Sequence, residues 1–160
     1  MSEYRISKYN PAKRINGAYT VDEWTSISDI GKPFAGVVFT YEVYKKVETA
    51  YVNCAIELLR QSAVSVLSVV QPEYYETGIY LPQTVADEQE LRRIIMDCLQ
   101  EKCWAKLEGI DFFIHFGYDY YMYIGTSLGL TVVNEICKKY SLFCEVFPSP
   151  YCADENRERN

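Results

Sequence analysis

Residues 104–124, WAKLEGIDFFIHFGYDYYMYI, hold three short apolar runs separated by two tight breaks. The runs 104–107, 112–116 and 120–124 are rich in aromatic residues and bounded by turn chemistry, which is the composition of strands. Glu108-Gly109-Ile110-Asp111 and Gly117-Tyr118-Asp119 supply the breaks. Links this short join antiparallel neighbours, because a parallel pair needs a crossover of a dozen or more residues. An antiparallel meander of three strands is therefore expected.

Upstream, Asp87 and Glu90 make a D-x-x-E capping pattern that opens a helix, with Leu91, Ile94, Ile95, Cys98, Leu99 and Cys103 on its buried face. Glu88, Gln89, Arg92, Arg93, Asp97, Gln100 and Glu101 fall on the solvated face. Residues 64–70, VSVLSVV, read as an interior strand that Pro72 ends. Residues 73–78 then form a connection to a short strand at 79–81, stopped by Pro82. Before these, Thr40 caps a helix running to about Gln61, with apolar residues at i, i+3, i+4 spacing. Downstream, a helix over 127–140 and a strand over 143–147 complete the pattern, and Lys138 and Lys139 complement the helix dipole.

The order is an arm followed by α, β, β, α, β, β, β, α, β. That predicts an α+β single domain with a mostly antiparallel sheet of five or six strands and three helices packed mainly on one face. Residues 1–152 form the domain, with 1–36 as an ordered N-terminal arm. The polar tail 153–160, ADENRERN, has no apolar content and is expected to fray. The arm is ordered because its turn signals, Asn10-Pro11, Asn16-Gly17 and Gly31-Lys32-Pro33, alternate with side chains that need burial: Tyr9, Tyr19, Trp24, Ile27, Ile30 and Phe34.

The chain has 160 residues, a formal net charge of −6 and 15 tyrosines. Excess negative charge opposes general nucleic-acid binding, since phosphates are repelled, and suits a basic partner instead. Within that total, residues 1–20 carry Arg5, Lys8, Lys13 and Arg14 against Glu3, so a basic segment adjoins an acidic body. Tyrosine combines an apolar ring with a polar tip and is enriched at protein interfaces, although most tyrosines line the edge of a core. The opening residues have no apolar signal region, and no apolar run is long enough to span a bilayer, so a cytoplasmic protein is expected. Of the six cysteines, Cys54, Cys98, Cys103, Cys137 and Cys144 lie in apolar stretches and read as small buried residues.

Local signals for catalysis are weak. His115 is the only histidine and sits in an apolar strand, where a structural role is commoner than a catalytic one. Cys98 and Cys103 have the wrong spacing for a zinc pair, which places their thiols on different sides of one helix. Residues 125–129, GTSLG, lack the Gly-Lys-Ser/Thr ending of a phosphate loop. Asp22, Glu23 and Asp29 offer carboxylates without evidence that they converge, and Asp22 serves equally as the cap of a single turn through Trp24. Tyrosine-rich residues 118–123 lack the positive groove of a single-strand stacking platform, because Asp111 and Asp119 flank them. No cofactor or metal site is expected. The enzyme alternative is a cofactor-free site using Cys54, Cys98 or Cys137 with His115, or carboxylates gathered by the fold, and a second alternative is an adaptor of an unrelated complex.

Ser7-Lys8-Tyr9-Asn10-Pro11, followed by residues 17–31, GAYTVDEWTSISDIG, resembles the opening of a group of small bacterial proteins that confer immunity to polymorphic toxins, including those of contact-dependent growth inhibition. The resemblance covers roughly a fifth of the chain closely and continues more loosely into the first helix. It implies a function that the fold class alone does not. The implied protein is a non-enzymatic inhibitor, and the implied partner is the C-terminal domain of a cognate toxin. A nuclease toxin engages a polyanion and so carries a basic groove, which an acidic inhibitor complements. A motif shared among proteins that face different toxins is architectural, so Tyr9, Asn10, Trp24, Ser26, Ser28 and Asp29 are not the expected contact surface. The expected contacts are tyrosine and acid clusters on connections: Glu73, Tyr74, Tyr75 and Glu76 first, then Tyr118, Asp119 and Tyr121. For the first cluster, a solvated turn is the competing reading.

Overall fold

The chain begins with a strand. In the computed structural model, which describes residues 1–152, Ser2–Ser7 (β1) turns Tyr4 and Ile6 into the core and is paired antiparallel on both sides. The expected tail at 153–160 lies outside the described residues. This corrects the arm expected over 1–36: its first residues belong to the sheet, and the irregular wrapping segment begins after Ser7. In that segment Asn10 caps a 3-10 turn, Pro11–Lys13, by accepting from the Ala12 amide at 3.0 Å. Arg14–Ile15 (β2) and Ala18–Tyr19 (β3) make a hairpin through Asn16 and Gly17, whose φ values of 51° and 83° are those of a primed two-residue turn. The one-turn element expected near Asp22 lies instead at Ile27–Asp29, where Ser26 and Asp29 form a reciprocal capping box. Pro33–Phe34 (β4) and Val37–Val38 (β5) form a second small hairpin.

Tyr41–Gln61 (α1) starts at the Thr40 cap, as the spacing predicts. Leu67–Tyr74 (β6) runs through Pro72 instead of ending there. A bulge between Val70 and Glu73, with Gln71 at φ 51°, takes the missing donor out of the ladder. Glu73 and Tyr74 are thus strand residues opposite Trp104 and Cys103, and not part of a connection. The short strand expected at 79–81 is also displaced. Leu81 is buried without pairing, and Thr84–Val85 (β7) follows Pro82 and pairs with the start of β6.

Asp87 caps Glu88–Leu99 (α2) through the Glu90 amide at 2.9 Å. Cys103–Gly109 (β8), Phe112–Phe116 (β9) and Met122–Thr126 (β10) form the expected antiparallel meander. Leu130–Lys139 (α3) and Phe143–Val146 (β11) complete the fold. The sheet has seven strands in the order β11-β1-β10-β9-β8-β6-β7, antiparallel throughout. The count exceeds the expected five or six because β1 enters between β10 and β11.

Strand alternation sorts the two faces. Tyr4, Ile6, Ala105, Leu107, Ile114, Met122 and Ile124 share one apolar core with Tyr51, Leu58, Ile94, Ile95, Val133 and Ile136 of the three helices. Phe113, His115 and Tyr123 face the other way, yet they too are buried. What covers them is the segment after β11. The Tyr151 ring lies 5.4 Å from Trp104 and 6.0 Å from Tyr123, and Phe147 lies 6.2 Å from Tyr123. Phe113 also occupies the space over its cross-strand partner Gly125, where a Cβ would stand 2.2 Å from the ring.

Three of the four basic residues of the N-terminal stretch pair within the fold. Arg5 and Arg14 pair with Glu145 at 3.0 and 2.5 Å, and Lys8 pairs with Glu23 at 3.1 Å. Two acids on the helices are buried. Glu48 on α1 is completely buried, accepting from Tyr44 at 3.2 Å, from Gln100 and from Lys45. Asp97, expected on a solvated face, is buried against Arg93 at 2.9 Å. Burial of a carboxylate is sustainable only with such partners. Among the described residues, no helix is long and apolar enough to cross a membrane.

A candidate partner-binding cleft

The sheet order brings distant parts of the sequence to one end of the meander. The end of β6 lies beside the start of β8, and the loop joining β9 to β10 stands next to both. Between them opens a cleft of about 910 Å³, lined by Glu73, Tyr75, Trp104, Tyr118, Asp119 and Tyr121, among others. The turn after α2 adds Glu101, the wrapping segment adds Thr25 and Ser26, and the C-terminal segment adds Tyr151.

Each wall is held by bonds its sequence makes local. The loop over residues 117–121 is closed by the Gly117 amide on the Tyr121 carbonyl at 2.8 Å and by the Tyr121 amide on the Tyr118 carbonyl at 3.1 Å. Asp119 and Tyr120 both adopt left-handed backbone, at φ 55° and 63°. Tyr120 turns inward: its carbonyl accepts from the Tyr51 hydroxyl at 2.6 Å, and its ring packs on Trp24 and Tyr51. This fastening leaves Tyr118, 87 % exposed, projecting from a rigid base. Across the cleft, the amides of Tyr75 and Glu76 both donate to the Lys102 carbonyl, at 2.9 and 3.1 Å. The Tyr75 hydroxyl donates to Glu73 at 2.7 Å, and partial burial together with that carboxylate pushes its pKa up to about 12.

Five of the seven expected contact residues therefore line one cleft: Glu73, Tyr75, Tyr118, Asp119 and Tyr121. One cluster lies at the end of β6 and just beyond it, and the other on the loop joining β9 to β10. Tyr74 and Glu76 are exposed but lie outside the lining. Glu101, Trp104 and Tyr151 had no local signal and are brought in by tertiary structure alone. The charged lining residues among those described are Glu73, Glu101 and Asp119, all acidic. The cleft is thus an acidic, tyrosine-rich concavity with the Tyr118 and Tyr75 rings exposed.

Of the motif residues, Tyr9 and Trp24 turn inward, whereas Ser28 is exposed and Ser26, not expected at the contact surface, lines the cleft. The Tyr9 hydroxyl donates to the Trp24 carbonyl at 3.2 Å, and Asp29 accepts from the Thr25 amide at 2.8 Å. That bond and Lys32 hold the Asp29 carboxyl down at about 2, the side-chain contact with Lys32 contributing most.

His115 lies on the sheet's outer face with both ring nitrogens engaged, and neither partner is a thiol. Nδ1 is 2.8 Å from Ser149 Oγ, and Nε2 is 3.1 Å from Glu108. The Tyr151 amide donates to Ser149 Oγ at 3.3 Å. The carboxylate requires the proton on Nε2, so Nδ1 accepts from the serine hydroxyl, and every donor in the chain is used. Although this order resembles a nucleophile relay, Ser149 and His115 are 4 % and 1 % exposed. Here they pin the C-terminal segment to the sheet. Glu108 alone favours the imidazolium, but it is partly solvated, whereas the ring is buried and near Lys106. Burial therefore dominates and drives the His115 pKa down to about 4.

A histidine with a depressed folded pKa contributes stability above its ordinary value near 6.5 and loses it as pH falls toward the folded value. Wild-type protein is thus expected to lose about 2 kcal/mol between pH 7 and pH 5, above the range in which Glu57, Glu88 and Glu145 protonate. Urea unfolding of wild type and His115→Gln at both pH values measures it. Equal slopes in the two proteins would rule out the pin as the titrating element.

Comparisons with protein-family models, with curated proteins and with solved structures find no match.

Proposed function

We propose that this chain is an immunity protein that binds a cognate toxin domain and neutralises it by occlusion, without catalysis. The observation that carries the reading is the convergence of Glu73, Glu101 and Asp119 with Tyr75, Tyr118 and Tyr121 on one cleft. The resemblance of residues 7–31 to immunity proteins supplies the class of partner. A toxin that acts on nucleic acid presents a basic groove to its substrate, and an acidic inhibitor gains encounter rate and register from the opposite charge. Exposed Tyr118 and half-exposed Tyr75 supply the aromatic anchors on which such interfaces depend. Inhibition then follows either from covering the toxin's active site or from blocking the surface through which substrate enters.

The test is co-expression with the C-terminal domain of the polypeptide encoded immediately upstream. The expected result is co-purification of the two chains, with the domain killing cells only when this chain is absent. Absence of both binding and protection would overturn the reading and bring the enzyme alternative forward.

A further inference from the structure

Three thiol pairs lie close together in this fold, and one of them lies buried in the wall of the cleft. The Cys54 and Cys137 sulfurs are 3.8 Å apart with both residues fully buried between α1 and α3. Cys144 on β11 is near Cys137. Cys98 and Cys103 have sulfurs 3.9 Å apart, and both line the cleft. The helical reading that set these two thiols on different sides is corrected here. α2 ends at Leu99, residues 100–102 reverse the chain with Glu101 at φ 59°, and Cys103 begins β8 facing back toward Cys98.

We propose that Cys98 and Cys103 form an oxidisable dithiol, which hydrogen peroxide converts to an intramolecular disulfide. The first sulfur, as thiolate, attacks one peroxide oxygen. An S–O bond forms, the O–O bond breaks, and the departing hydroxide takes up a proton to leave as water. The second sulfur then attacks the resulting sulfenic acid, forming the S–S bond and breaking the S–O bond, while the second thiol's proton leaves with the hydroxyl as another water. Two electrons pass from the sulfurs to the peroxide, so no further reductant or oxidant is required. The sulfurs must close from 3.9 Å to about 2 Å, across a connection of the four residues 99–102. The two thiols share one hydrogen bond, so ionisation of either is supported by the other, and Cys98, 8 % exposed against 1 % for Cys103, is the sulfur that peroxide reaches first. Because the Lys102 carbonyl in that turn holds the Tyr75 and Glu76 amides, closure also shifts one wall of the cleft.

The inference does not depend on the immunity reading, and partner binding is not its readout. Full-length reduced protein is treated with hydrogen peroxide, and intact mass and peptide maps are followed over time. The expected product has lost two hydrogens, regains them with dithiothreitol, and yields a fragment linking Cys98 to Cys103. Cys98→Ser and Cys103→Ser should each reduce that cross-link to background, while Cys54→Ser leaves its rate unchanged. Since the map on wild-type protein needs no variant, a misfolded substitution does not blunt the test. Unchanged mass, sulfinic products without a cross-link, or a cross-link between other cysteines would each overturn the proposal.

Discussion

Replacing Trp24 with alanine is expected to lower stability by about 3–5 kcal/mol, the range for removing a buried large aromatic side chain. Trp24 is 8 % exposed and stacks on Phe39 with ring centroids 4.3 Å apart. Tyr120 meets it edge-on at 5.1 Å, and Tyr44 lies at 5.9 Å. The Lys8 ammonium sits 4.2 Å from the indole and 4.0 Å from the Tyr9 ring, so one cation is shared between two aromatic faces and the Glu23 carboxylate. Removing the indole leaves a cavity between the wrapping segment and α1, and it takes from Lys8 one of the groups that offset its desolvation. For a chain of this length, the loss corresponds to a melting-temperature decrease of roughly 6 to 20 °C. Trp24→Phe keeps a ring against Phe39 and should recover most of that difference. Urea unfolding of the three proteins measures the effect. A Trp24→Ala protein with the wild-type midpoint would mean that the wrapping segment is not integral to the core.

The parts of this fold that could be read from the sequence are those whose cause is local. Thr40 and Asp87 cap helices within a few residues of the apolar periods they start, and Gly109 and Gly117 mark the ends of strands that pair with their sequence neighbours. β1 has no such signal. Only Tyr4 and Ile6 alternate inward, and its partners stand more than a hundred residues downstream. Pro72 would end most strands but sits at a bulge, and the bulge is a property of the pairing with β8. Glu48 and Asp97 look like surface acids until the Gln100 and Lys102 turn folds back over them. The same limit applies to the cleft. Residue type picked out Glu73, Tyr75, Tyr118, Asp119 and Tyr121, but nothing local shows that 73–75 and 118–121 face one another. That follows from β6 pairing with β8 and β8 with β9. Tyr151 joins them because Ser149 is fastened to His115 and Glu3, and the Tyr151 carbonyl to Lys106, across the sheet.

Changing Glu73 to lysine together with Asp119 to asparagine is expected to weaken the complex with a basic toxin domain roughly a hundredfold, about 2.7 kcal/mol. The pair removes two of the three cleft carboxylates and places one cation in the cleft with the remaining Glu101. Asparagine is the right replacement at 119 because the backbone there is left-handed, at φ 55°, a conformation asparagine tolerates and lysine resists. Glu73 holds the Tyr75 hydroxyl at the surface, so its loss frees a half-exposed ring without opening the core. The variant should therefore unfold at nearly the wild-type urea concentration. Most of the lost affinity should appear as slower association, and the difference between the proteins should shrink as salt is raised, because steering is screened within about 10 Å at 0.1 M ionic strength. Glu76→Lys is the matched control: it makes the same charge reversal three residues along the chain but outside the cleft lining. Equal losses from Glu76→Lys and Glu73→Lys would mean that net charge, and not the cleft, governs binding. Undiminished affinity in the double variant would move the contact surface elsewhere on the molecule even if co-purification and protection are observed, because occlusion by this cleft requires its carboxylates to meet the partner's cations.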